Sequence, residues 1–280
     1  MTCKICDSSL LEDFKHGKVQ LYSCKNCKVV FNYEFPEQNE IDTYYQNEYK
    51  ISLNDTYNDE RRRYFRFSEN ISLIKDMMQY SKPPSSLLDI GCDKGYYIDE
   101  ARRYGYNVFG TELSKSANLY TKKLKLDVRQ DISDFDQKFD NITLWHVLEH
   151  IPDPVTFLTN IKSQLNRPGY LYIRVPAFDS YWSQILKDKW DWLQPENHLF
   201  HYSLDSLEYL LKSIGFDIEK ISHNKPNNVL TKRAFKLSNE VFYQYFDNRL
   251  LTKKKIARKI QDLIHTEIYV IAKLPYKKEI

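Results

Sequence analysis

The sequence predicts a doubly wound α/β domain preceded by a small cysteine-bearing module. From residue 86 onward, short apolar runs alternate with amphipathic stretches, the pattern of a parallel sheet with helices on both faces. Glycine is scarce, with seven in 280 residues, and six of them fall between residues 91 and 215, where that alternation needs turns. Average usage is about 7%, so each glycine marks a place where a side chain is awkward. Finally, four of the five cysteines lie in two C-x-x-C pairs within the first 27 residues.

A chain with 42% hydrophobic and 15% aromatic residues can close a sizeable core. A net charge of +3 is too small to argue for a nucleic-acid partner. MTCKICDSSL contains no apolar run of signal-peptide type, and no stretch approaches a membrane span. A soluble cytoplasmic protein is expected. Nothing in the sequence sets an oligomeric state.

Residues 1–35 carry Cys3-x-x-Cys6 and Cys24-x-x-Cys27, seventeen residues apart. Two such knuckles offer four thiolates to a tetrahedral ion, so structural zinc in a zinc ribbon is expected ahead of a disulfide or redox pair. VQLYSC and VVFNYEF read as its short strands. Residues 36–82 form a helical linker or cap, in which YFRFSENISLIKDMMQY places Phe67, Ile71, Ile74 and Met78 on one face for packing. Tyr44, Tyr45 or Tyr49 is an alternative cover for a ligand site.

KPPSS marks the next boundary, and residues 83–280 read as the α/β domain. SLLDI, NVFGTE, LDVRQD, FDNITLW and YLYIRVP are strands, separated by helices over YYIDEARRYG, SKSANLYTKKL and VTFLTNIKSQL. SLDSLEYLLKSIG is a helix with Ser203 as N-cap and Gly215 just past its end. FDIEKIS and TEIYVIAKL complete a Rossmann-like, seven-stranded sheet, with ligands expected at the carboxyl ends of its strands. Residues 224–265 interrupt it as a helical insertion ending in LLTKKKIARKIQDLIH. That charge run reads as a solvated helix face, with a weak membrane-surface contact through residues 252–264 as the minority alternative.

The turn LLDIGCDKGYY holds Asp89, Gly91 and Gly95 but lacks the third glycine of a dinucleotide fingerprint. A carboxylate ending the first strand repels phosphate and welcomes a ligand bearing positive charge. Glu112, ending the second strand, suits a ribose diol. Asp131, after the third, can accept from an adenine amino group. S-adenosylmethionine satisfies all three.

With those residues in view, LLDIGCDKGYY, GTELSKSA, QDISDF and FDNITLWHVLEHIPDP resemble the successive motifs of class I S-adenosylmethionine-dependent methyltransferases. NRPGYLYIRVP and ENHLFHYSLDSLEYLLKSIGF resemble the ubiquinone-biosynthesis-like branch. The resemblance covers about residues 85–223 and implies a cofactor site of Asp89, Gly91, Gly95, Glu112, Leu113, Asp131 and Ile132. Asp93 stands where the family usually has glycine. The front end, through FNYEFPEQNEIDTYY, resembles the zinc-knuckle leader of bacterial members of that branch. Many of those are similar to enzymes of sugar and surface-polysaccharide modification, so the implied acceptor is a small molecule, a sugar or nucleotide-sugar. An RNA methyltransferase gripping RNA with its ribbon, and a quinone-like O-methyltransferase, are the alternatives. RNA is disfavoured because Lys4, Lys15, Lys18, Lys25 and Lys28 are offset by Glu12, Asp13 and Glu34.

WHVLEHIPDP then follows the fourth strand, on the edge where acceptor and cofactor meet. Its H-x-x-E-H pattern occurs in zinc peptidases, but on a helix of a different architecture. As acceptor-pocket groups, His146 and His150 are base candidates, with His198 and His201 as alternatives. As metal ligands, His146, Glu149 and His150 would share a helical face, closed by His198. Small-RNA 2′-O-methyltransferases and some quinone O-methyltransferases are similar, using E-x-x-E-H with magnesium. One carboxylate among imidazoles here suits zinc, manganese or iron instead. Local capping by Glu149 and His150 is the third reading. Trp182, Trp190 and Trp192, beside Tyr181, suggest an aromatic wall for a saccharide.

Overall fold

Strands β1 (Leu11–His16), β2 (Val19–Cys24) and β3 (Val30–Asn32) form an antiparallel meander, held in the register Leu11↔Cys24 to His16↔Val19 and Leu21↔Asn32 to Ser23↔Val30. This computed structural model describes residues 2–32, 34–36, 38–44, 46, 67, 69–223 and 267–276. The insertion at 224–265, its basic run at 252–264, Tyr45, Tyr49 and residues 47–66 of the 36–82 linker therefore lie outside the described residues. Within that linker are α1 (Gln38–Thr43) and α2 (69–77). The buried face of α2 is Ile74 and Met77; Phe67 is 42% exposed, so the expected Phe67–Ile71–Ile74–Met78 stripe is rotated. The helix stops at 77; Met78 follows in a turn, its N–H on the Ile74 carbonyl at 2.9 Å, and still packs half-buried against the same core.

The α/β domain follows the predicted order. β4 (Ser86–Ile90) leads to α3 (Tyr96–Arg103), β5 (Asn107–Thr111) to α4 (Lys115–Lys123), and β6 (Asp127–Arg129) to a 3-10 turn at Ile132–Asp134. β7 (Phe139–Trp145), α5 (Pro154–Gln164), β8 (Leu165–Pro176) and α6 (Tyr181–Leu186) come next. β9 (Phe200–His201), α7 (Leu204–Ile214), β10 (Asp217–His223) and β11 (Glu267–Leu274) complete it. The seven-stranded sheet runs β10-β11-β8-β7-β4-β5-β6, with β11 the reversed strand. Ser203 caps α7 by accepting from the Ser206 N–H, and Gly215 ends it at φ 90°.

Side chains alternate across the sheet, so each face has its own core. Leu88, Ile142, Leu171 and Val270 pack under α5 and α7 with Leu158, Ile161, Leu207 and Leu211. Cys3, Val29 and Phe31 of the cysteine module belong to that same cluster. On the other face Leu87, Tyr172 and Ile271 meet α3 and α2 through Ile98, Ala101, Ile74 and Met77.

The module docks by strand addition. β9, drawn from the loop between α6 and α7, pairs with β3 as Val30↔His201 and Phe31↔Phe200, making a four-stranded sheet β1-β2-β3-β9. Sequence patterning did not anticipate β1 or β9.

One turn fixes the approach to the strand tips. Gly91, Asp93 and Gly95 take φ values of 69°, 50° and 75° between β4 and α3. A Cβ at Gly95 would lie 2.5 Å from Leu126 Cδ1 and 3.2 Å from Thr121 Cγ2. Gly95→Ala is expected to lower stability by about 1–3 kcal/mol through left-handed strain and crowding, measured as a fall in denaturant midpoint at constant m-value.

Candidate active site and cysteine cluster

Asp89 is fully enclosed near the end of β4, where Thr143 Oγ1 donates to its Oδ1 at 2.6 Å. Burial first, and then the neighbouring Glu112 and Asp93 charges, push its carboxyl up to about 7. Glu112, just past β5, accepts from the backbone N–H groups of Asp93 (2.8 Å) and Ser114 (2.7 Å). Burial raises its pKa, against the pull of those two bonds. Asp131 is exposed and caps its 3-10 turn, accepting from Ser133 N (2.8 Å) and Ser133 Oγ (2.6 Å). Leu113 and Ile132 are half-buried beside these acids. The sequence therefore places its acids on three successive strand tips, with Gly91 and Gly95 in the connecting turn.

The WHVLEH stretch does not form the expected helix. β7 ends at Trp145, His146 takes φ 58°, and Leu148–His150 is a single 3-10 turn. A left-handed residue breaks the helical period, so His146, Glu149 and His150 do not share a helical face. His146 turns away and lies between two acids, with Nε2 3.1 Å from Glu267 Oε1 and Nδ1 3.4 Å from Glu149 Oε1. Burial opposes its charge, but Glu149 and Glu267 outweigh that and lift it to about 9. It is an imidazolium at neutral pH, and its role as base or metal ligand is not supported by this geometry. Glu267 is held in turn by Arg174 of β8, whose Nε donates at 2.6 Å and which also pairs with Glu69.

Glu149, His150 and His198 converge instead: one ligand atom from each lies within 4.8 Å of the others. His150 Nδ1 donates to Asn197 O at 2.8 Å, and His198 Nδ1 to Trp192 O at 2.6 Å. Carbonyls only accept, so in both rings Nδ1 carries a proton and donates it. Burial is the main force pushing His198 down to about 4. Glu149 is buried, and neither of its oxygens reaches hydrogen-bond geometry with a donor among the described residues. Burial pushes its carboxyl up, but the adjoining imidazoles, His146 foremost, hold it below the ordinary range. A buried carboxylate facing two imidazoles is a donor set for a divalent cation.

The expected aromatic wall is not assembled. Trp190 is 4% exposed and packs with Leu21, Phe178 and Leu193, and half-buried Trp182 lies against the same cluster. Tyr181 is exposed. His201 is enclosed within the β1-β2-β3-β9 sheet, its Nε2 3.0 Å from Asn32 Oδ1, and burial drives it down to about 3. These aromatic groups went to seating the β1–β2 hairpin. Trp192 alone of the three tryptophans reaches the site, with His146 stacked on it at 4.8 Å and His198 at 6.4 Å.

At the other end of the module the four cysteine sulfurs lie within 4.8 Å of one another, with Cys3–Cys27 at 3.5 Å and Cys6–Cys24 at 3.6 Å. None is in a disulfide. Both knuckles have one geometry: the fifth residue, Asp7 or Lys28, takes a φ near 60° (55° and 62°), and its N–H bonds the first cysteine's carbonyl. The Ile5 N–H and the Asn26 amide donate to Cys3 and Cys6 sulfur at 3.4 Å each. The Cys27 thiol is the chief force holding Cys3 down to about 5. Tetrahedral sites with metal–sulfur bonds of about 2.3 Å need sulfurs spaced as these are.

Three comparisons bear on identity. The chain is 33% identical over 101 residues to the ubiquinone biosynthesis O-methyltransferase of Actinobacillus pleuropneumoniae serotype 7 (strain AP76), covering 31% of this chain and 43% of that protein. It is 27% identical over 148 residues to the tRNA U34 carboxymethyltransferase of Alteromonas mediterranea, covering 47% of this chain and 45% of that protein. The matches thus span under half the length of these relatives. In fold it is similar to the plantazolicin methyltransferase BpumL in complex with SAH, at a TM-score of 0.55 and 16% identity over 85% of this chain and 97% of that one. A family model described as a methyltransferase domain matches residues 61–221, more than half of the sequence, and the chain belongs to that methyltransferase-domain family.

Proposed function

We propose that this protein transfers the methyl group of S-adenosylmethionine to a small-molecule acceptor, a sugar or nucleotide-sugar of surface-polysaccharide type. The observation that carries the first half is the trio Asp89, Glu112 and Asp131 at successive strand tips, with Asp89 buried beside the Glu112 and Asp93 charges. Glu112 would take the ribose hydroxyls, Asp131 the adenine amino group, and Asp89 would face the cationic amino-acid end. The bound nucleoside supplies an electrophilic methyl carbon. The residues of this chain align the acceptor with it, an effect worth about 7–11 kcal/mol when orientation is good.

On the acceptor side we read Glu149, His150 and His198 as holders of a divalent ion of the zinc, manganese or iron kind, ahead of a metal-free base. The support is the convergence of the three side chains, one ligand atom from each within 4.8 Å of the others, with the Nδ1–carbonyl bonds leaving Nε2 of each ring to coordinate. Such an ion would anchor acceptor oxygens and acidify a hydroxyl. Cys3, Cys6, Cys24 and Cys27 would hold a separate, structural zinc.

A saccharide acceptor is supported by the resemblance of the leader. RNA remains the second reading, favoured by the tRNA-modifying relative and weakened by the ribbon's charges, where Lys25 already pairs with Glu12 at 3.5 Å. No helix among the described residues is long and apolar enough to cross a membrane.

The test is calorimetric titration with S-adenosylhomocysteine, followed by labelled methyl transfer to a panel of nucleotide sugars and to total RNA. Absence of saturable heat overturns the cofactor assignment, and label on RNA alone overturns the acceptor. The titration also has an expected pH profile. A carboxyl at about 7 is half protonated near neutrality, and the ligand's ammonium group pairs with its ionised form. Affinity should therefore rise roughly tenfold per unit from pH 5 toward 7 and level off above. Asp89→Asn should flatten that slope.

A further inference from the structure

We propose that Asn32, the last residue of β3, is a positioning residue for the acceptor side, holding the loop that carries His198. The inference rests on reading Glu149, His150 and His198 as acceptor-side groups. Asn32 is 6% exposed, and every polar atom it directs at the 195–201 loop has a partner there. Its Nδ2 donates to Pro195 O at 2.6 Å and to His198 O at 3.0 Å. Its Oδ1 accepts from His201 Nε2 at 3.0 Å, and its backbone N–H donates to Leu199 O at 3.0 Å.

The opposite side of the same loop is fastened to the site. Leu199 N donates to Glu149 O at 2.8 Å, His150 Nδ1 to Asn197 O at 2.8 Å, and His198 Nδ1 to Trp192 O at 2.6 Å. The loop is thus stretched between Asn32 and the Glu149–His150 turn, and His198 sits at its middle. Only a side chain with two donors and an acceptor at this length satisfies two carbonyls and an imidazole N–H together. Removing it strands two buried groups, the His198 carbonyl and the His201 ring N–H, and the loop must shift to reach water. The cysteine module would then act on the chemistry at a distance, by fixing where an imidazole points.

Two substitutions test this in the full-length protein with zinc in the four-cysteine cluster and no divalent ion supplied to Glu149, His150 and His198. Asn32→Ala removes all side-chain contacts. Asn32→Asp is isosteric, keeps an acceptor for His201, and turns an oxygen toward two carbonyls. Three readouts are needed: the tautomers of His198 and His150 by long-range 15N–1H NMR at pH 7, amide exchange across the chain, and S-adenosylhomocysteine affinity. Both variants should lose the Nδ1–H signature at His198. Exchange over residues 190–201 should quicken at least ~10-fold, the effect of losing one or more buried hydrogen bonds, with exchange in β4 and β7 unchanged. Affinity for S-adenosylhomocysteine should stay within about twofold, since Asn32 lies in the ribbon and not at the β4–β6 tips. The proposal is overturned if the His198 tautomer survives both substitutions, if Asn32→Asp behaves as the parent, or if exchange rises evenly through the sheet. A parent protein that fails to bind S-adenosylhomocysteine would sink the methyl-transfer reading, while the tautomer and exchange results would still decide the role of Asn32.

Discussion

Glu112→Ala is expected to weaken S-adenosylhomocysteine binding by at least ~100-fold, two charge-assisted hydrogen bonds being worth about 3 kcal/mol or more together. The carboxylate has two tasks in this fold. In the proposed cofactor site it accepts the ribose hydroxyls, and in the fold it takes the backbone N–H groups of Asp93 and Ser114 at 2.8 and 2.7 Å. Those bonds preset the carboxylate before the ligand arrives, so little ordering entropy remains to be lost on binding. Alanine removes the ribose acceptor and also frees two N–H groups that shape both flanking turns. Glu112→Gln should lose less, since its amide oxygen still accepts while its amine clashes with a donor. Calorimetry on the three proteins orders them; an alanine variant within threefold of the parent would remove Glu112 from the cofactor site.

Cys27→Ser is expected to empty the four-sulfur cluster and release the module. Structural zinc binding in small modules contributes roughly 10–16 kcal/mol, which is as large as the whole net stability of an ordinary domain, about 5–15 kcal/mol. The consequence should not stay local, because Cys3, Val29 and Phe31 share a core with Leu207 and Tyr202. Elemental analysis should find one metal ion fewer per chain in the variant than in the parent. Limited proteolysis should then cut within residues 2–32. A metal-free parent that resists protease as well as the loaded one would make these cysteines ordinary packing thiols.

The strand tips were legible because their information is local. Asp89, Gly91, Gly95 and Glu112 sit at fixed offsets from strands that period and turn residues announce, and the structure keeps those offsets. The C-x-x-C spacing was equally readable, since each knuckle closes on itself within five residues. WHVLEH misled because helical spacing says nothing about the left-handed φ at His146 that breaks the turn. Glu267 and Arg174 were invisible: the reversed β11 brings them together across 93 residues. Asn32 and His201 were unreadable as a pair for the same reason, with 169 residues between them. Trp190 was assigned to ligand because a sequence cannot say which of three neighbouring indoles meets a hairpin from the far end of the chain.

The two-residue strand β9 carries a lesson for anyone wishing to redirect this enzyme toward another acceptor. Residues 2–32 and 190–201 form one structural unit, joined edge to edge through β3 and β9 although remote in the sequence. A chimera that imports one half without the other would present mismatched edges and lose the lock on its own imidazole, so transplantation has to move both together.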